Sequence, residues 1–172
     1  MICVIAKLAA DAVERLNALR KAVASKEQLA KPFHGHITVA AYPADDEEFM
    51  RICSKIIRDT YSFHIWYEKL EVLSATSIIV AVPSKPDALL ALHDRIDERF
   101  HQSLDRWTRG TDWYPHTTLF YDPDADLNAL CRNMREHFIP FETSISQIEF
   151  SRVEETGYTI LETIDLKQQI RI

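Results

Sequence analysis

The 172-residue sequence predicts a duplicated fold of mixed strands and helices, in which two similar lobes face each other across a cleft. Three observations predict it. Two strand-like stretches, Phe33-His34-Gly35-His36-Ile37-Thr38-Val39-Ala40 and Tyr114-Pro115-His116-Thr117-Thr118-Leu119-Phe120-Tyr121, carry one His-x-Thr pattern at positions 36 and 116. The offsets continue, since His36, Thr38 and Pro43 match His116, Thr118 and Pro123. In both halves a helical pattern precedes the His strand, another follows the proline, and two strands come next. This period is too long for a solenoid, which leaves two lobes at about 1–82 and 83–172 that can exchange terminal strands.

Each element follows from its residues. Residues 2–8 are an apolar run with the length of a buried strand, and 11–24 set Val13, Leu16, Leu19 and Val23 at helical spacing. The stretch 25–32 reads as a polar loop carrying Lys26 and Lys31, with Pro32 stopping any helix before the first His strand. Tyr42-Pro43 ends that strand. Asp45, Asp46, Glu47 and Glu48 crowd the next helix start, where acids suit the positive end of the dipole. Phe49, Ile52, Cys53 and Ile56 give that helix its apolar face. Residues 62–73 alternate as a strand and 77–82 form a short apolar one. Pro86 then opens a helix through Leu89, Leu92, Ile96 and Phe100, and a loop rich in Arg, Trp and Tyr runs from 105 to 114. After the second His strand, Asp122-Pro123-Asp124 leads into a helix through Leu127, Leu130, Met134 and Phe138. Residues 141–153 and 158–166 close the chain as two strands around a turn at Gly157.

Composition excludes several functions. Three glycines, with no G-x-x-x-x-G-K-[ST] or G-x-G-x-x-G, remove the main support for nucleotide binding by a phosphate loop or a dinucleotide fold. A net charge of −6 argues against a basic surface for long DNA, although a small anion held by a few groups is compatible with it. The three cysteines are far apart, with no zinc spacing and no disulfide framework, and no run is long enough to span a membrane. The expectation is a reduced, cytoplasmic, monomeric protein without membrane contact, metal or cofactor.

In a strand, residues two apart share a face, so each motif presents an imidazole beside a hydroxyl. If the two strands lie side by side, His36, Thr38, His116 and Thr118 converge. An unperturbed imidazole titrates near pH 6.5, so two in one cleft supply a base and an acid near neutrality. Threonine hydroxyls donate to non-bridging phosphate oxygens. The set suits phosphoryl transfer without metal. A third match, His101-Gln102-Ser103, falls at a helix end, where residues two apart do not share a face.

The paired motifs His36-Ile37-Thr38-Val39 and Pro115-His116-Thr117-Thr118-Leu119 resemble the 2H phosphoesterase superfamily, which includes the bacterial 2′-5′ RNA ligase-like proteins. The resemblance extends over the whole chain through its length, duplicated layout and motif separation. It implies an α+β fold, bilobal, of duplicated βα units with antiparallel sheets facing a central cleft, and no required metal. It also implies a phosphodiesterase of 2′,3′-cyclic phosphates, 2′-5′ linkages or related nucleotide diesters. By the same resemblance His36 and His116 are the acid/base pair, and Thr38 and Thr118 bind the phosphate. The sequence departs from the family pattern beside each motif. Phe120-Tyr121 stands where many members carry a basic residue, and Gly35 where an apolar residue or Asn is common.

Further candidates flank the motifs. His34 falls on the face of His36 by the two-residue period, as a substrate contact or an exposed strand-end residue. Arg109, Trp113 and Tyr114, in the aromatic loop, either stack a base and steer a phosphate or anchor the loop on the body of the protein. Tyr42 and Tyr121, at the strand ends, have the same two readings. The expected partner is a nucleotide or short RNA. The rival functions are a nucleotide-binding module without turnover, the ligase direction of the same chemistry, and a pure interaction domain.

Overall fold

The computed structural model describes residues 1–30, 33–73, 76–84, 87–155 and 157–168; the expectations for Lys31, Pro32 and Pro86 lie outside the described residues. The chain opens on β1 (Ile2–Lys7), apolar and buried up to Ala6 because it is an inner strand of a sheet. The amphipathic α1 (Ala10–Val23) buries Ala12, Leu16 and Leu19. The expected polar loop holds one more helical turn, α2 (Lys26–Leu29). Ser25 and Gln28 close a reciprocal capping box there, which satisfies two orphan backbone donors. Next come β2 (His36–Tyr42) and α3 (Glu47–Arg58). The acid cluster acts as helix-start chemistry, with the Asp46 carboxylate accepting from the Glu48 and Phe49 amides.

In β3 (Phe63–Val72), Phe63, Ile65 and Tyr67 are buried and alternate with exposed His64 and Trp66. It is followed by β4 (Ile78–Pro83), α4 (Asp87–Phe100), two single turns of 3-10 helix (Arg106–Thr108 and Gly110–Asp112) and β5 (Thr117–Tyr121). An Asp126 cap starts α5 (Leu127–His137), accepting from the Ala129 amide. The closing segment differs from expectation. Residues 141–153 are not one strand but two, β6 (Phe141–Ile145) and β7 (Gln147–Glu154), parted at Ser146; β8 (Gly157–Asp165) follows. β6 pairs with β3, whereas β7 pairs with β1 and β8. An unbroken apolar alternation in sequence carries no sign that its two halves serve different sheets.

Two four-stranded antiparallel sheets result, ordered β2-β1-β7-β8 and β5-β4-β3-β6. Each takes two strands from before α4 and two from after it. One continuous apolar core joins them, including Ile2, Val4, Leu16, Phe49, Tyr67, Ile79, Leu92 and Phe150. A second, small apolar cluster of Cys3, Ile5 and Ala41 with Val153 lies apart from it. β2 and β5 occupy corresponding edges of their sheets and touch each other. No helix among the described residues is long and apolar enough to cross a membrane.

Candidate active site

The first motif starts from a backbone requirement. Gly35 has φ +54°, in the left-handed region, and a Cβ there would stand 2.8 Å from Val13 Cγ2. Glycine meets both constraints and feeds the chain into β2 at His36. Along β2, Ile37 and Val39 are fully buried while His36 and Thr38 are half-buried on the other face. In the second motif Thr117 and Leu119 face the core and Thr118 is exposed; β5 begins one residue after His116.

Both motifs end on a β-bulge. Val4 pairs with Ala40 and Ile5 with Thr38, which leaves Val39 as the extra residue. Ile79 pairs with Phe120 and Val80 with Thr118, which leaves Leu119 as its counterpart. Bulges re-aim side chains, and here each follows a motif threonine. Each bulge carbonyl is braced by the helix that links strands of the opposite sheet. From α4, His93 Nδ1 donates to Val39 O at 3.0 Å, and from α1, Arg20 Nε donates to Leu119 O at 2.8 Å.

The two strands are then joined. Thr117 Oγ1 donates to His36 O at 3.0 Å and accepts from the Tyr67 hydroxyl. Burial pushes the Tyr67 phenol well up, so it stays protonated and donates. Trp113 Nε1 donates to Thr38 O at 2.9 Å, and its ring stacks on His93 with centroids 3.9 Å apart. Sequence reasoning missed Thr117, Tyr67, His93 and Arg20. The visible signal at Thr117 was a polar residue at a core-facing strand position; its partners are far away in the chain.

The histidines are not equivalent. Burial, then the neighbouring imidazoles of His34 and His116, lowers His36 to about 4. Burial also lowers His116, but its bond to the Tyr114 carbonyl and the nearby Glu71 carboxylate oppose that shift. His116 Nδ1–H donates to Tyr114 O at 2.6 Å, which fixes the tautomer and leaves Nε2 for proton exchange. Glu71 is itself held by the Tyr114 hydroxyl at 2.6 Å and Lys69 Nζ at 2.8 Å. Two cavities share His34, Gly35 and His36 as a common wall. One, of about 510 Å³, reaches Thr118 and Tyr121; the other, of about 440 Å³, reaches Thr38 and the open face of the first sheet. Among the described residues no group of three or more His, Cys, Asp or Glu converges as a metal site.

Residues 43–157, about two thirds of the chain, match the model of the 2′-5′ RNA ligase superfamily. The chain belongs to that superfamily. Three solved structures cover 97% of it at 15% identity. They are Escherichia coli LigT without ligand (TM-score 0.69, 97% of that chain), LigT with 3′-AMP (0.68, 97%) and a phosphoesterase (0.69, 98%). No curated protein matches. The α+β fold is that of the 2H phosphoesterases, and the family match contains His116 and Thr118 while starting beyond His36 and Thr38.

Within this superfamily fold the flanking candidates separate. His34 precedes β2 and is exposed, with Nδ1 hydrogen-bonded to the Tyr158 hydroxyl at 2.8 Å; it lines both cavities. Tyr121 is 57% exposed and lines the larger one. Tyr42 lies at the far end of β2 from His36, stacked on Phe49 at 4.5 Å and bonded to Asp46 at 3.2 Å, so it packs there and does not reach the cleft. Arg109 donates to the carbonyls of Leu104 and Gln102, anchoring its loop just beyond α4. Trp113 is buried, and positions Thr38 instead of offering a stacking face. Tyr114 orients His116 through its carbonyl and Glu71 through its hydroxyl. His101 is engaged by Asp97 at 2.9 Å, in keeping with a chance match.

Proposed function

We propose that this chain is a metal-independent phosphodiesterase of nucleotide or RNA-end diesters, such as a 2′,3′-cyclic phosphate, a 2′-5′ linkage or a cyclic oligonucleotide. His36 and His116 are its acid/base pair, and Thr38 and Thr118 hold the phosphate. The observation that carries this reading is the Thr117–His36 bond, which ties the two His-x-Thr strands edge to edge, with His116 near enough to contribute to the lowered pKa of His36. Superfamily membership and the crystallisation of LigT with 3′-AMP support a ligand of nucleotide size.

The two environments assign the roles. His36, held low, is neutral near pH 7 and takes a proton from water as the oxygen attacks phosphorus. His116, whose Glu71 and Tyr114 contacts favour the charged form, gives its Nε2 proton to the leaving ribose oxygen as the phosphorus–oxygen bond breaks. The hydroxyls of Thr38 and Thr118 donate to the non-bridging oxygens as charge builds there. Water delivers one proton and the leaving group receives one, so the pair resets by exchange with solvent. Run backwards, the same groups join two ends.

The test is hydrolysis of 2′,3′-cyclic mononucleotides, 2′-5′ dinucleotides and cyclic oligonucleotides in the presence of EDTA. Wild type turns over at least one class, and His36→Ala and His116→Ala each lose roughly 10²- to 10⁴-fold while remaining folded. Binding of a nucleotide without turnover of any substrate would overturn the proposal.

A further inference from the structure

The candidate residues are flanked by two cavities, and a diester held at Thr38 and His36 must send a substituent into at least one of them. Their walls differ in chemistry. The larger is lined by Phe33, Phe120 and Tyr121 but also by the carboxylates of Glu27, Asp122 and Asp124. The smaller lies over the open face of the first sheet, and its floor is the separate apolar cluster of Cys3, Ile5 and Val153. Tyr158 and Ile160, from β8, complete its wall and are left 40% and 48% exposed. Exposed apolar groups gathered on one concave surface mark a binding site more often than a bare protein surface.

The smaller cavity also has a polar end. Lys7, opposite His36 in the β1–β2 register, pairs with buried Glu149 at 3.1 Å, and both line it. A nucleobase has apolar faces and a polar edge, and this cavity offers an apolar floor with a polar limit. Its volume of about 440 Å³ lies within the usual range for small-molecule sites. The wall is fixed to the motif. The Tyr158 hydroxyl is hydrogen-bonded to His34 Nδ1 at 2.8 Å, and the rings meet edge to face at 4.3 Å, two residues before His36.

We propose that the cavity over the open face of the first sheet is the subsite for the substrate's nucleobase, and that Tyr158 is the wall that selects it. This rests on the phosphodiesterase reading above and adds to it a place for the base. Tyr158 acts on binding, so its removal raises KM more than it lowers kcat.

The experiment compares a nucleoside 2′,3′-cyclic phosphate with the baseless methyl riboside 2′,3′-cyclic phosphate. Wild type favours the nucleoside compound in kcat/KM by roughly 5- to 150-fold, the range that stacking of one base on an aromatic ring supplies. Tyr158→Ala brings the ratio towards one, mainly through the KM of the nucleoside compound. Tyr158→Phe, which keeps the ring, keeps most of the ratio. Trp107→Ala, which removes a 57% exposed aromatic ring from the loop, leaves the ratio at the wild-type value. A ratio near one in wild type, a ratio unmoved in Tyr158→Ala, or a ratio lost in Trp107→Ala overturns the subsite. His36→Ala reports on the phosphodiesterase reading separately, by abolishing turnover of both compounds. If wild type turns over neither, calorimetry of a nucleoside 3′-monophosphate against ribose 3-phosphate decides. Tighter binding of the nucleotide that is lost in Tyr158→Ala keeps the subsite without the enzyme, and equal affinities remove both.

Discussion

His36 and His116 share one motif yet sit in different fields, and that difference predicts the pH dependence. As the proposed base, His36 must be neutral, so kcat/KM rises with pH through about 4. As the proposed acid, His116 must be charged, so kcat/KM falls as pH climbs through its pKa, which burial holds below 6.5. The profile is a bell with its maximum on the acid side of neutrality; a maximum above pH 7 would refute the role assignment. Glu71 raises the His116 pKa, so Glu71→Gln moves the alkaline limb to lower pH and leaves the acid limb in place. Trp113 works at the same scale through the backbone. Trp113→Phe keeps a ring against His93 but loses the bond to Thr38 O, which frees one of the two proposed phosphate binders. The expected result is a fall in kcat/KM of roughly tenfold from the loss of one buried hydrogen bond, with the pH profile unmoved. In the sequence the two histidines were interchangeable, and Trp113 read either as a stacking face or as an anchor of its loop; only the structure chooses the anchor.

At the scale of elements, each motif is a short strand with glycine or proline before it, a bulge behind it and a helix bracing the bulge. The strands and the shared faces of His36 with Thr38 were readable, because a period of two is a local property. The bulges were not, because an extra residue shows only against a partner strand. The second helical turn near Ser25 was missed for another reason. It is only four residues long and stands by its capping box, without an apolar face. Gly35 gives the element-scale prediction. Gly35→Ala forces an L residue to φ +54° and drives its Cβ against Val13. The cost is about 1–3 kcal/mol, read as a lower midpoint in urea unfolding, with reduced turnover because His36 follows directly. Unchanged stability would mean that the chain enters β2 by another route.

At the scale of the molecule, the fold carries an imidazole that it disfavours charging. An unfolded His36 takes its proton near pH 6.5, while the native one refuses it until about 4. The unfolded state therefore binds more protons in that window, and stability is lost as pH falls from 6.5 towards 4. For His36 the loss is of the order of 3 kcal/mol, since each pKa unit corresponds to about 1.4 kcal/mol. Urea unfolding at pH 7 and pH 4.5 reads it, and His36→Asn flattens the difference; an equally steep fall in that variant would place the linkage elsewhere. The sequence by itself determined the two His-x-Thr faces and most helices and strands, because periodicity and capping act between near neighbours. The tertiary structure alone decided that residues 141–153 divide between two sheets, that β2 and β5 meet edge to edge through Thr117, and that Tyr42 packs away from the cleft. It also ordered the two histidines by pKa. Burial, charge and strand pairing act between residues far apart in the chain, and only the folded geometry says which of them meet.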